Sequence, residues 1–585
     1  MSHRFPHFTL RKRILLLLLP VLLFGCMLLH QMGYPLSHEK RFALFTNQVF
    51  RSELSANTLD LHYTLANPAA YDLDDLPVVL GNGSLQSKEQ SLAACENYLS
   101  ALRGFNRAEL NQTQQLTYDL LLDYLETECS SASLLLYDEP LSPSLGVQSQ
   151  LPILLAEYSF RTKGDIEDYL TLLTQMPDYF DSILSFEQQK SAAGLFMSDT
   201  CADAVIRQCR DFIAQPSSNY LITTFREKIK TFSNLTADEK IAYCDRCEKS
   251  VFTYVIPAYE TLISGLQSLS SSGKNDIGLA GLPKGKEYYQ YLVRSSVGDS
   301  RPIEEIEEAV KQQMTADFAD AQKLIADRSP NLPSDASAAS SSVLSGANPA
   351  EMLLHLRSSI GTDFPQAPSV SCAVRQVPPS LQEYLSPAFY LTPAIDAYTD
   401  NVIYINPHSA SSGLELYTTL AHEGYPGHLY QSVFFQSQSP DPLRSLLGCG
   451  GYTEGWATYV EMYAYNLWDG DDTAAALAQK NRAFTLGIAS LLDIGIHYHG
   501  YSRSEVSSFL TQLGFSDDTA QSLYDSILQS PANYLKYYVG WLNFEALRAD
   551  TQAQMGDAFS LIDFHESILR IGPAPFSILR QYLLS

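Results

Sequence analysis

The residues best equipped for chemistry stand together in Ala421-His422-Glu423-Gly424-Tyr425-Pro426-Gly427-His428-Leu429-Tyr430-Gln431. Two imidazoles can bind one zinc ion, and a glutamate beside them can take a proton from water that the ion acidifies. Peptidases that work this way usually set the histidines one helical turn apart, as HExxH. Here they are six apart, which on an unbroken helix is about 240° of rotation, too much for two ligands of one ion. Pro426-Gly427 offers a remedy. Proline removes a backbone donor and glycine accepts unusual dihedrals, so a break between the histidines would swing His428 back toward His422. The bland alternative is a helix that stops at Pro-Gly and carries two ordinary polar histidines.

A second segment tips the balance toward metal. Gly451-Tyr452-Thr453-Glu454-Gly455-Trp456-Ala457-Thr458-Tyr459-Val460-Glu461 follows within reach of the first. Its Glu454-Gly455-Trp456-Ala457 resembles the acidic-Gly-aromatic-Ala stretch with which one-zinc aminopeptidases present their third ligand. The expected ligands of Zn2+ are therefore His422, His428 and Glu454, with Glu423 as general base. Glu461 is seven residues further on, within about 20° of Glu454 around a helix but about 10.5 Å along it, so the two cannot share one ion. Glu461 is then either a carboxylate that orients a ligand's second ring nitrogen or a charge on the helix surface.

HExxPGHxxQ, EGWAxYxE, Leu492-Asp493-Ile494-Gly495-Ile496-His497, Tyr537-Tyr538-Val539-Gly540, and Phe564-His565 through Gly572 and Pro575 together resemble the bacterial domain of unknown function 885 family. The resemblance runs from about residue 40 to the end, and that family is regarded as related to the zinc metallopeptidases. It implies a mostly helical, metallopeptidase-like fold and leaves the substrate open. Every motif residue that would carry over is present.

Further candidates surround this core. His497 either orients substrate or an oxyanion, or is a polar residue satisfied by its neighbours, and His499 reads as structural. Tyr537 is the candidate phenol for stabilising a tetrahedral oxyanion. Spacing alone does not separate it from Tyr538 in a chain with 35 tyrosines. Arg548 and His565 are candidates for substrate contact rather than proton transfer. The expected reaction is hydrolysis of an amide, with Glu423 moving the proton from water to the leaving amine. A zinc amidase or esterase acting on a non-peptide acyl group would use the same chemistry. A surface-anchored peptide binder without catalysis would have no use for Glu423.

Elements of two kinds must position these groups. Apolar residues recur at three- and four-residue steps over Lys88 to Leu102, Leu110 to Leu125, Ile166 to Gln189 and Thr236 to Leu266. They do so again over Ala474 to Leu492, Arg503 to Leu513, Asp517 to Gln529 and Asn533 to Met555, and both sets predict helices. Leu414 to Phe435 starts as a helix and carries the histidines. Asn401-Val402-Ile403-Tyr404-Ile405-Asn406, bounded by Pro407, predicts a strand. The fold class is mainly α, a large helical body with a small β-sheet beside the active-site helix. Ser268 to Lys274, Gly278 to Gly285 and Ser329 to Ala347 interrupt the periodicity. They suggest an N-terminal helical lobe over 31–267, a linker-interrupted helical region over 268–349 and a C-terminal catalytic lobe over 350–585.

The first 30 residues stand apart. Arg4, Arg11, Lys12 and Arg13 precede an apolar run from Ile14 to Leu29, the pattern of a signal peptide or membrane anchor. Within it Leu23-Phe24-Gly25-Cys26 resembles a lipoprotein lipobox, although Phe24 is bulky for one. Cleaved, retained or lipidated, each reading puts the body outside the cytoplasm, with membrane contact through this segment only. Cys244-x-x-Cys247 lies in a polar helix-like stretch without a second pair, which favours structural thiols or one disulfide over a zinc ribbon. Lys plus Arg number 39 against 65 Asp plus Glu, and the net charge of -26 repels nucleic acid. The expected partner is a peptide or other acyl substrate.

Overall fold

The computed structural model describes residues 36–273, 277–327, 342–377, 382, 386–409 and 412–584. The expected export segment, Cys26 included, and most of the Ser329 to Ala347 stretch lie outside these. Among the described residues the fold is mainly α with one three-stranded sheet. None of the described helices is long and apolar enough to cross a membrane. The eight cysteines from Cys95 to Cys449 are all free thiols.

The helical periodicity of the sequence converts directly into long helices. In the first half these are α1 (His38–Leu54), α2 (Leu85–Leu102), α3 (Gln112–Ser130) and α4 (Lys163–Ala192). Helix α4 starts at a capping box, in which Thr162 accepts from the Asp165 N–H and Asp165 accepts in return from the Thr162 N–H. The Thr236 to Leu266 pattern becomes helices Ala237–Ser250 and Ile256–Leu269 joined by a π-turn at Val251–Val255. Pro257 brings no N–H to the ladder just there, and a widened turn accommodates its ring.

Two hydrophobic cores form, and their division departs from the expected lobes. One core draws Tyr169, Leu173, Phe180, Val205, Ile222 and Leu262 from the chain between residues 59 and 266. The other joins Phe50, Leu102 and Leu121 of α1 to α3 with Leu420, Trp456, Ile494 and Phe544 of the C-terminal half. Polar ties reinforce the second grouping. The Thr46 hydroxyl donates to Asp441 at 2.7 Å, and Asp119 accepts from Arg107 and from the Tyr582 hydroxyl. The first helices of the chain thus belong to the body that carries the histidines.

That body is built on α5 (Ile303–Asp327), α6 (Gly413–Glu423), α7 (His428–Ser437), α8 (Gly450–Ala464), α9 (Asp472–Ile494), α10 (Leu535–Met555) and α11 (Leu561–Ile571). Helices α8 and α10 cross without side chains between them. A Cβ on Gly455 would stand 2.6 Å from the Gly540 Cα, and one on Gly540 would stand 2.5 Å from the Gly451 carbonyl oxygen. Beside α6 lies the sheet, in the order β1 (Ser371–Gln376), β3 (Asp400–Ile405), β2 (Ala388–Leu391). Strand β1 runs parallel to β3, with Ser371 opposite Asp400. Strand β2 runs antiparallel at the edge, with Tyr390 opposite Ile403.

Candidate metal centre

The helix break implied by Pro426-Gly427 is present. Helix α6 ends at Glu423 and α7 begins at His428, so His422 lies in the last turn of one helix and His428 opens the next. The residues from Gly424 to Gly427 fold back tightly between the two helices, with a cis Tyr425-Pro426 bond. At Gly427 a Cβ would lie 1.8 Å from the His422 carbonyl oxygen, so only glycine fits the turn. Trp456 of α8 locks the turn in place by donating its Nε1–H to the Pro426 oxygen at 2.9 Å. The imidazoles of His422 and His428 then meet edge to face, 4.8 Å between centroids and 88° between planes.

Glu454, in the first half of α8, completes the group. Its Oε2 lies 3.6 Å from His422 Nε2 and 3.5 Å from His428 Nε2. Ligand atoms about 2.1 Å from a tetrahedral ion stand about 3.4 Å from one another, so these spacings fit a shared divalent cation. Glu423 offers a second carboxylate within 4.8 Å of both histidines. Its Oε2 accepts the Tyr390 N–H of edge strand β2 at 2.8 Å, which ties one oxygen to the sheet.

Behind the group, Glu461 accepts the His422 Nδ1–H at 3.0 Å through Oε2 and the Arg482 Nε–H at 2.7 Å through Oε1. Glu461 is thus buried against His422 and is not a charge on the helix surface. Burial disfavours charge on His422, but hydrogen bonds to Glu454 and Glu461, with the charge of Glu423, push it up to about 10. Burial opposes charge on Glu454 as well, yet the two histidines hold it well below the usual carboxylate range. Three carboxylates around two imidazoles make a cage that favours a cation.

Tyr537 and Tyr538 separate cleanly. Tyr537 lays its ring parallel to His422, at 6.4 Å and 21°, while Tyr538 is fully buried against Trp541 with no partner for its hydroxyl. Burial, and then the charges of Glu454 and Glu423, push the Tyr537 phenol up, so it keeps its proton and can donate.

Three sequence candidates lie elsewhere. His497 is buried, donates Nε2–H to the Ile527 carbonyl at 2.9 Å and accepts the Leu279 N–H at Nδ1, so neither nitrogen is free for a substrate. It is the neighbour-satisfied residue of the two readings. His565 is equally closed. Its Nδ1–H donates to the Asp363 carbonyl at 2.6 Å, its Nε2 accepts from the Tyr459 hydroxyl at 2.9 Å, and its ring stacks on Phe364. Arg548 donates to that same hydroxyl and pairs with Glu545. It lines a cavity of about 330 Å³ with Tyr459, Tyr463, Lys480 and Trp541. Arg548 is eleven residues beyond Tyr537 on α10, about 16 Å along the axis, and on α8 Tyr459 points about 140° away from Glu454. His565, expected to contact substrate, is thus a packing residue, and Arg548, expected to do the same, lines a cavity away from the metal group. His499 pairs with Glu307 at 2.9 Å, as a structural residue would.

Two participants had escaped the sequence reading. The Tyr390 N–H is a backbone group on a four-residue strand, and no side-chain pattern signals it. Arg482 did leave a trace, a cation seven residues after Ala475 and four before Leu486 on the buried stripe of α9, which calls for a buried anion.

Residues 78–583 match the family described as "Bacterial protein of unknown function (DUF885)". A search of curated proteins returned no match. Among solved structures, the "putative lipoprotein" from Colwellia psychrerythraea is similar, with a TM-score of 0.82 at 19% identity, over 94% of this chain and 98% of that one. The "putative lipoprotein of unknown function" from Shewanella oneidensis follows with a TM-score of 0.65 at 17% identity, over 93% and 100%. At such identities the likeness shows the fold alone.

Proposed function

Because this chain belongs to the DUF885 family of bacterial proteins of unknown function, its chemistry must be read from its own site, and we propose that it is a zinc-dependent hydrolase that cleaves peptide bonds outside the cytoplasm. One observation carries the reading: a single Glu454 oxygen stands 3.6 and 3.5 Å from the two Nε2 atoms, with Glu423 alongside. His422, His428 and Glu454 would hold the ion, and the relationship to zinc metallopeptidases rests on this set. Zn2+, when bound, supplies a Lewis acid that acidifies water and polarises a carbonyl.

The chain's own residues do the rest. Glu423 takes the proton of the attacking water on Oε1, since Oε2 is tied to Tyr390, and delivers it to the leaving nitrogen. The Tyr537 hydroxyl donates toward the developing oxyanion. Strand β2 favours a peptide over other acyl substrates. Pro387 and Phe389 face β3 and the Tyr390 N–H is held by Glu423, whereas the carbonyls of Ala388 and Tyr390 turn away from β3 beside Glu423, where an extended backbone can donate to them. Export follows from the basic start and apolar run, and the lipobox-like Leu23-Phe24-Gly25-Cys26 agrees with the names of the two structural relatives.

The test is metal analysis of the purified protein with peptide hydrolysis assayed before and after a chelator. About one zinc per chain is expected for a three-ligand site. Glu423→Gln should keep that zinc and lose turnover by roughly 10²–10⁴-fold. Failure to take up zinc, or normal turnover by Glu423→Gln, would overturn the reading.

A further inference from the structure

We propose that Arg482 is a positioning residue of the metal centre, acting through Glu461 to hold His422 in the one orientation and tautomer that present Nε2 to the ion; this rests on the zinc reading above. The geometry forms a continuous line. Arg482 gives Nε–H to Glu461 Oε1 at 2.7 Å and approaches Oε2 with a terminal nitrogen at 3.4 Å. Glu461 Oε2 in turn accepts from His422 Nδ1 at 3.0 Å, and His422 Nε2 faces Glu454.

Each member needs the next. Glu461 is buried, with its side chain only 6% exposed, and a buried carboxylate keeps its charge only beside a cation. His422 alone supplies none once it is neutral and donates a single proton. Arg482, from a different helix, compensates the charge and fixes the plane of the carboxylate by reaching both its oxygens. With that plane fixed, the Nδ1–H of His422 has one direction to point, and Nε2 is left as the ligand. Lysine cannot reproduce this, because its ammonium is a point charge without the planar fork.

Lys480 provides a matched control. It sits two residues away on α9 and carries the same charge, but pairs with Asp317 at 2.8 Å and Asp320 at 3.0 Å. A loss caused merely by removing positive charge from α9 would appear equally in Lys480→Met.

The experiment is zinc affinity of the full chain by chelator competition, for the parent, Arg482→Met, Arg482→Lys, Glu461→Ala, Lys480→Met and the Arg482→Met/Glu461→Ala double variant. Melting of each metal-free protein establishes that it is folded, and Arg482→Lys decides if Arg482→Met is not. Arg482→Met should bind zinc roughly 10–100-fold more weakly, with Arg482→Lys in between and Lys480→Met within about twofold of the parent. The double variant should be no weaker than Glu461→Ala alone, as expected when two residues act in one line. Parent-like affinity in a folded Arg482 variant, or losses that multiply in the double variant, would overturn the inference while leaving the zinc reading intact. A parent that takes up no zinc removes both.

Discussion

Helix α8 meets histidines on two faces and treats them in opposite ways. On one face Glu454 and Glu461 reach the two nitrogens of His422, and the imidazole is pushed up to about 10. On the other, Tyr459 reaches His565, whose second nitrogen is closed by a backbone carbonyl, and burial pushes that imidazole down to about 4. Both rings are buried, and each has a partner at both nitrogens. What differs is the charge of the partners and whether a second imidazole faces the same point. Anions on both sides and His428 across a gap suit a cation; a hydroxyl and a carbonyl make a strut that stacks on Phe364. A buried histidine is thus identified by its partners, not by its burial.

The sharpest way to break this contrast is to delete one ring from each face. His428→Ala should weaken zinc binding about a thousandfold or more, one ligand's share of a binding energy on the order of 10–16 kcal/mol. His565→Ala should keep one zinc per chain yet unfold more easily by about 3 kcal/mol, from the cavity and the unpaired groups it leaves. Zinc loss in folded His565→Ala would make the two faces one site.

Acid sharpens the comparison next. His565 and His497 are both pushed down to about 4 in the folded protein by burial, against about 6.5 when unfolded. Between those values the unfolded chain binds more protons. Their contribution to stability is therefore complete above pH ~6.5 and is lost as pH falls toward ~4, by roughly 3 kcal/mol for each histidine. Urea melts of metal-free protein from pH 7 to 4 should show this loss, and it should shrink in His565→Ala.

Smaller effects separate the tyrosines. Tyr537→Phe should lower kcat about 100-fold with KM little changed, as removal of an oxyanion donor does. Tyr538→Phe should leave turnover alone and leave stability unchanged or higher by up to about 1 kcal/mol, since its hydroxyl is buried without a partner. Equal losses of kcat in both variants would mean that packing on α10, not the Tyr537 hydroxyl, sustains turnover.

Local patterns made much of this visible in the sequence. The break between His422 and His428 was legible because proline and glycine act on their own backbone. Strand β3 was legible because its β-branched and aromatic run is bounded by Asn and Pro407, whereas β1 is largely exposed and β2 has four residues, too few to show a period. The surroundings of His497 and His565 were not legible because their partners are Leu279 N–H and the carbonyls of Ile527 and Asp363, backbone groups that every residue carries and no spacing reveals. The allocation of α1 to α3 to the C-terminal body was hidden for a related reason. An apolar stripe shows that a helix is buried without showing against what.

The bare crossing of α8 and α10 bears on how this protein could be engineered. Replacing helical glycines with alanine is a standard route to heat resistance, worth up to about 1 kcal/mol at an exposed site. At Gly455 and Gly540 the sign reverses, because the added methyl would sit 2.5 Å from main-chain atoms of the facing helix and could be housed only by moving the helices apart. Helix α10 carries Tyr537 and α8 carries Glu454, so the shift would be felt at the metal group as well. A library screened only for survival at high temperature would discard these two positions, and the discarded clones would mark the crossing that sets the spacing of the candidate site.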